Sequence, residues 1–209
     1  MKSPKIESIL VTACLLAALV LWYIIFGLEA GNFWFKISFS SVLLASVSLW
    51  IVGRQASALF KYRKRHLLIG FGSALLLYGI FWAGKLVLTT LFPAARTAIG
   101  SVYTAGKETP AWLIALLLLV VTSPAEEIFW RGFIQRVFMQ RMSPILGFSI
   151  TLLCYTLVHI WSLNILLILA AFTAGFCWGL IYLLEKSLTP VIISHALWSV
   201  SAFVVFPFA

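Results

Sequence analysis

Residues 111–142 read AWLIALLLLVVTSPAEEIFWRGFIQRVFMQRM. The apolar part, 111–121, is too short to cross a bilayer alone, because a helix needs about 20 residues to span a hydrocarbon core of ~30 Å. It continues through Thr122, Ser123 and Pro124 into a stretch where Glu126, Glu127, Arg131, Gln135, Arg136 and Arg141 recur at helical spacing. The spacing predicts one long helix, kinked at Pro124 and ended by Ser143 and Pro144. A helix this apolar at one end, with two carboxylates near its middle, belongs in a membrane.

On either side of it the chain repeats the same signal. Apolar runs cover 9–28, 33–53 and 67–92 before it, and 145–161, 163–184 and 189–206 after it. Together they predict an all-α, polytopic bundle of about seven transmembrane helices. Composition agrees: 63% of the 209 residues are hydrophobic and 10% charged, against roughly 25% charged in a soluble domain. Residues 54–66 are predicted as a basic loop, and 94–110 as a loop carrying a short interfacial helix. The first run follows Lys2 and Lys5, as in a signal sequence, but is too long and lacks an A-x-A-like site, so it is predicted to be a retained span. The whole chain, 1–209, reads as a single membrane domain, with accessory spans in 1–110 and a core in 111–205.

The net charge of +9 does not indicate nucleic acid. The densest basic group, Arg54, Lys61, Arg63, Lys64 and Arg65, sits between two apolar runs, which fits cytoplasmic loop charge and anionic lipid headgroups. Arg136, Arg141 and Lys186 fall on the same side, opposite Arg96 and Lys107, so the N-terminus is predicted to be cytoplasmic. Cys14, Cys154 and Cys177 lie inside apolar runs without CxxC spacing and are expected to be free thiols.

The chemistry is narrowed by what is missing. All six acidic residues are Glu, at 7, 29, 108, 126, 127 and 185, which excludes an aspartyl dyad. There is no H-E-x-x-H for a zinc helix and no G-x-S-x-G elbow. Glu126 and Glu127 remain, and a charge in that position costs several kcal/mol unless it has a partner or a task, about 3 kcal/mol by insertion scales. Glu127 is four residues before Arg131 and shares its face, with Gln135 continuing the stripe. Glu126 points about 100° away and lacks that partner, so it is the better candidate for a general base or acid. Two histidines lie in other apolar runs, each with a polar neighbour one turn away: Tyr155 before His159, and Ser199 after His195.

The ordered set Glu126-Glu127-Ile-Phe-Trp-Arg131, Tyr155-x-x-x-His159 and His195-x-x-x-Ser199 resembles the three motifs of the CPBP family, the type II CAAX prenyl endopeptidases and their bacterial relatives linked to bacteriocin processing and immunity. Tyr155 stands where the family usually has Phe, and Ser199 where many members have Asn. The resemblance implies an intramembrane endopeptidase acting on a membrane-associated protein or peptide, with its other partner the lipid bilayer; a compact chain with little beyond the core resembles the bacterial members, which implies a bacterial plasma membrane. It implies that Glu126 activates water with His159 assisting, that His195 and Ser199 face the oxyanion, and that Glu127 and Arg131 orient the site or bind substrate. No cofactor is firmly implied; the alternative is zinc on Glu126, His159 and His195. Two rival readings are a non-catalytic immunity or scaffold protein that keeps the protease fold, to which Ser199 points, and a small transporter with Glu126 as a proton site. Counted from the cytoplasmic starts of their helices, His159 lies 14 residues in and His195 six, a depth difference of about 12 Å at ~1.5 Å per residue. A joint site therefore requires tilted or broken helices.

Overall fold

The computed structural model describes residues 4–208, with side chains from Ser8 onward; Lys2 lies outside the described residues, and Lys5 is described by its backbone alone. Seven helices are long and apolar enough to cross a membrane. They are α1 (Pro4–Gly27), α2 (Phe33–Val52), α3 (Lys64–Leu91), α5 (Ala111–Arg141), α6 (Pro144–Ser162), α7 (Ile165–Glu185) and α8 (Leu188–Val205), with the short α4 (Ala94–Val102) between α3 and α5. No strand occurs among the described residues.

Capping side chains set most of the turns. Asn32 accepts from the Trp34 and Phe35 amides at the start of α2, Ser143 from Leu146 N at α6, Asn164 from Leu166 and Leu167 at α7, and Ser187 from Thr189 N at α8, satisfying amides that a helix leaves open at its first turn. The basic stretch differs from its expected form. Residues Gly53–Phe60 continue α2 as a 3-10 helix and α3 begins at Lys64, leaving 61–63 as the connection. The short helix expected in 94–110 is α4.

Phe35, Phe39, Leu68, Leu75 and Trp112 face outward, while the interior is filled by Trp22, Phe129, Trp130, Phe133 and Trp178, with small residues where helices come closest. On α2 the buried Ser38, Ser41, Ala45 and Ser48 let the helix approach α5 closely, and the Ser38 and Thr122 hydroxyls are 2.8 Å apart. The contact of α3 with α8 is equally close, with Ser73 Oγ donating to Ser194 Oγ at 2.9 Å. The helix expected to kink at Pro124 is continuous from Ala111 to Arg141. Its backbone widens to π-helical turns before the proline, at Leu117–Thr122, and again beyond it, at Ile128–Gln135. Such widening absorbs the missing amide and the ring clash of a mid-helix proline, and π-turns are frequent at functional sites.

The turns sort into two ends of the bundle. At one end Asn32 Nδ2 donates to Glu108 Oε1 (2.8 Å) and Thr109 Oγ1 (2.7 Å), and Asn164 Nδ2 to the Ala98 carbonyl (2.7 Å). At the other, Arg65 pairs with Glu185 at 2.7 Å and Ser187 Oγ donates to the Lys61 carbonyl at 2.6 Å.

Candidate active site

The two adjacent carboxylates at the middle of α5 enter separate networks. Glu127, 0% exposed, receives Arg131 Nη1 on its Oε1 at 3.1 Å and the Nδ1 of His195 on the same oxygen at 2.7 Å. Arg131 reaches on through Nη2 to the Gly175 carbonyl at 3.1 Å, and its guanidinium carbon sits 4.7 Å from the Tyr155 ring centroid. Gln135 repeats this one turn later, donating to the Gly179 carbonyl at 2.8 Å. The His195 ring lies flat on Trp178, with centroids 3.6 Å apart and planes at 17°. The Glu127, Arg131 and Gln135 stripe expected from spacing is therefore present, and it joins His195 to α5 and α7.

Glu126 faces the other way, as its position on the helix predicts. Its Oε2 accepts from the Tyr155 hydroxyl at 3.4 Å. Four residues after Tyr155, His159 sits where the α-helix gives way to a 3-10 turn, His159–Ser162. Its Nδ1 lies 2.8 Å from the Tyr155 carbonyl. A carbonyl only accepts, so Nδ1 carries the proton and Nε2 keeps its lone pair. That lone pair receives the indole N–H of Trp22 at 3.4 Å.

Glu126, Tyr155, His159, His195 and Ser199 all line one cavity of about 520 Å³, within the range of ~300–1,000 Å³ usual for ligand pockets. Ser199 is 3% exposed and lies on the cavity wall one turn beyond His195. The difference in depth between the two histidines is bridged by this shared wall rather than by a bond between them. His159 closes the last turn of its helix and His195 is held by Glu127, so they meet the same space from different elements. Glu127 and Arg131 lie behind that wall.

Zinc was the cofactor alternative. Among the described residues no group of three His, Cys, Asp or Glu side chains is gathered for a metal ion. His159 has one ring nitrogen on a carbonyl and the other on Trp22, and His195 and Glu126 belong to different networks. The arrangement does not fit a Glu, His, His metal site.

Three contributors escaped the sequence reading. Trp22 is fully buried and lies on α1, far from any motif. Gly175 and Gly179 offer bare carbonyls to Arg131 and Gln135, and a Cβ on Gly175 would come within 2.7 Å of Tyr155 Cδ1. The G-x-x-x-G spacing of these two was the available signal; for Trp22 there was none. Cys14, Cys154 and Cys177 are free, as expected.

A comparison with protein families matches residues 108–201 to the type II CAAX prenyl endopeptidase Rce1-like model. The match takes in every motif residue from Glu126 to Ser199, bears out the CPBP resemblance, and makes this part of the chain like that of a membrane protease. No curated protein matches, and no solved structure matches.

Proposed function

We propose that the protein is an intramembrane endopeptidase that hydrolyses a peptide bond in a membrane-associated protein or peptide through a Glu-activated water, without a metal. The observation that carries this reading is Glu126. It is a carboxylate 5% exposed, on the wall of a cavity it shares with His159, His195 and Ser199.

In this scheme a water molecule in the cavity gives its proton to Glu126 as its oxygen attacks the scissile carbonyl, a step in which a positioned base is worth about 10²–10⁴-fold. The water displaces the long 3.4 Å contact of Trp22 at His159 Nε2, and the freed lone pair accepts the water's second hydrogen and so aims the oxygen. His195 holds a proton on Nδ1 against Glu127, which leaves Nε2 as the ring nitrogen for the cavity. With the carboxylate balancing its charge, Nε2–H and the Ser199 hydroxyl donate to the oxyanion. The tetrahedral intermediate collapses, and Glu126 passes its proton to the leaving amine. Glu127 and Arg131 orient His195 and touch no reacting atom. The N-terminus is cytoplasmic, as the distribution of basic residues favours, and the membrane is a bacterial plasma membrane, as the likeness to compact bacterial members favours.

The test is cleavage of membrane-tethered reporter peptides by the purified protein, with and without chelator, beside Glu126→Gln. Cleavage that survives chelator and disappears in the variant supports the proposal. Cleavage abolished by chelator would replace the metal-free scheme. A folded preparation that cleaves nothing would leave the scaffold reading in its place.

A further inference from the structure

The cavity has one lined end and one sealed end. From Glu126 its wall runs toward Glu29, Gly31, Ser101, Gly106, Glu108 and Asn164, which belong to the α1–α2 turn, the α4–α5 connection and the α6–α7 turn. Beyond Glu126 in the other direction α5 carries Phe129, Trp130, Phe133 and Ile134, which with Leu188 and Val191 of α8 are 0–1% exposed. These side chains fill the bundle between the cavity and the opposite turns.

The charges divide along the same axis. Arg54, Lys61, Arg63, Lys64, Arg65, Arg136, Arg141 and Lys186 lie at or near the sealed end; Lys36, Lys85, Arg96 and Lys107 lie toward the open end. Lys36 is turned back onto its own bundle, donating through Nζ to the Leu28 carbonyl at 2.6 Å and the Ile24 carbonyl at 3.2 Å, so it caps the end of α1. Lys and Arg in short loops and near helix ends collect on the cytoplasmic side. The sealed end is therefore cytoplasmic and the lined end faces out.

We infer that this site takes its peptide from the extracytoplasmic face of the membrane: its substrate is an outward-facing juxtamembrane or exported segment, and not a cytoplasmic C-terminal tail. A cytoplasmic tail would meet the aromatic seal around Trp130 and Phe133, with Glu126 on its far side. An outward-facing segment descends between the α1–α2 turn and α4 and meets Glu126 directly. The inference rests on the hydrolase reading for the word substrate, and on the geometry alone for the side of entry.

The experiment uses the full chain in intact cells, with Cys14, Cys154 and Cys177 replaced by Ala and single cysteines introduced as Ser101→Cys and Ser162→Cys at the open end, Ser199→Cys in the cavity and Tyr62→Cys at the sealed end. The probe is a small cationic, membrane-impermeant methanethiosulfonate, read by loss of later mass-tag labelling. Ser101→Cys, Ser162→Cys and Ser199→Cys should be blocked by reagent added outside, at least ten times faster than Tyr62→Cys, which should react only after permeabilisation. The reverse pattern overturns the inference, and so does a Ser199→Cys that reacts only from the cytoplasmic side or from neither side. A second arm gives a soluble, impermeant reporter peptide to right-side-out and inverted vesicles. Cleavage confined to right-side-out vesicles supports the inference, and cleavage confined to inverted ones overturns it. No cleavage in either counts against the hydrolase, while the labelling still decides the side of entry.

Discussion

The indole N–H of Trp22 meets Nε2 of His159 at 3.4 Å across 137 positions of sequence, so a helix outside the family match caps the ring nitrogen that the proposed mechanism needs. Trp22→Phe keeps an aromatic body against Trp130 and removes only this donor. Cleavage should change by no more than about tenfold, with the altered step in kcat rather than KM, as expected for loss of one neutral hydrogen bond of about 1 kcal/mol. Trp22→Ala should instead lower the melting temperature in detergent, because it empties the space beside Trp130 and His159. Steady-state kinetics and thermal unfolding of the two variants separate these effects.

Glu126→Gln is isosteric and keeps an oxygen to accept from Tyr155. It should unfold at nearly the wild-type temperature while losing at least about 10²-fold in kcat. A variant that retains full activity would remove Glu126 from the chemistry.

Breaking the Glu127 network should behave differently. Arg131→Ala leaves a fully buried carboxylate with only His195, and removing one partner of a buried pair costs about 3–5 kcal/mol. Stability and activity should fall together. The double variant Glu127→Gln with Arg131→Gln removes both charges of this pair and should recover part of the stability but not the activity, since His195 then lacks its anionic partner. A thermal shift series in detergent measures the first effect and reporter cleavage the second.

How far the sequence foretold these relationships depended on their range. The seven spans were legible from run length and hydropathy, because in lipid these alone decide what can cross. The pairing of Glu127 with Arg131 was legible too, as an i,i+4 contact within one helix. The bond from Glu127 to His195 was not, since it joins α5 to α8 and depends on how helices rotate against each other. The basic charge of 54–66 points to a loop, yet 3-10 helix satisfies the backbone over Gly53–Phe60 and α3 takes up the chain again at Lys64, so only 61–63 form the connection. Trp22 is one of nine tryptophans, with nothing around it to distinguish a hydrogen-bond donor from a membrane anchor.

Gly147 tests the packing of α5 against α6. A Cβ there would fall 2.4 Å from Met139 N and 2.6 Å from the Phe138 carbonyl carbon, backbone atoms that cannot turn aside. Gly147→Ala should therefore lower the melting temperature markedly, whereas Gly72→Ala, with nothing within 4 Å, should leave it unchanged or raise it slightly. Circular dichroism melts of both would show the contrast.

Tyr103 gives a pH dependence at the open end. Its hydroxyl donates to the Ala202 carbonyl and accepts from Phe208 N, both at 3.0 Å. Burial pushes its pKa up from 10.0 to about 12. The folded value exceeds the unfolded one, so this contribution to stability is complete below about pH 10 and is lost as pH rises toward 12. Tyr103→Phe should flatten that alkaline limb in a series of melts from pH 9 to 12.

The carbonyls of Gly175 and Gly179 limit how this protein can be thermostabilised. Replacing a helical glycine with alanine is ordinarily a gain of about 1 kcal/mol, and a designer scanning α7 for such gains would choose these two first. Here each methyl would press on an aromatic ring, Tyr155 or Phe148, at 2.7 and 2.8 Å, and pull a backbone acceptor away from Arg131 or Gln135. Hardening that helix would loosen the side chains that hold His195 in place, so heat tolerance and turnover should trade against each other at these two positions.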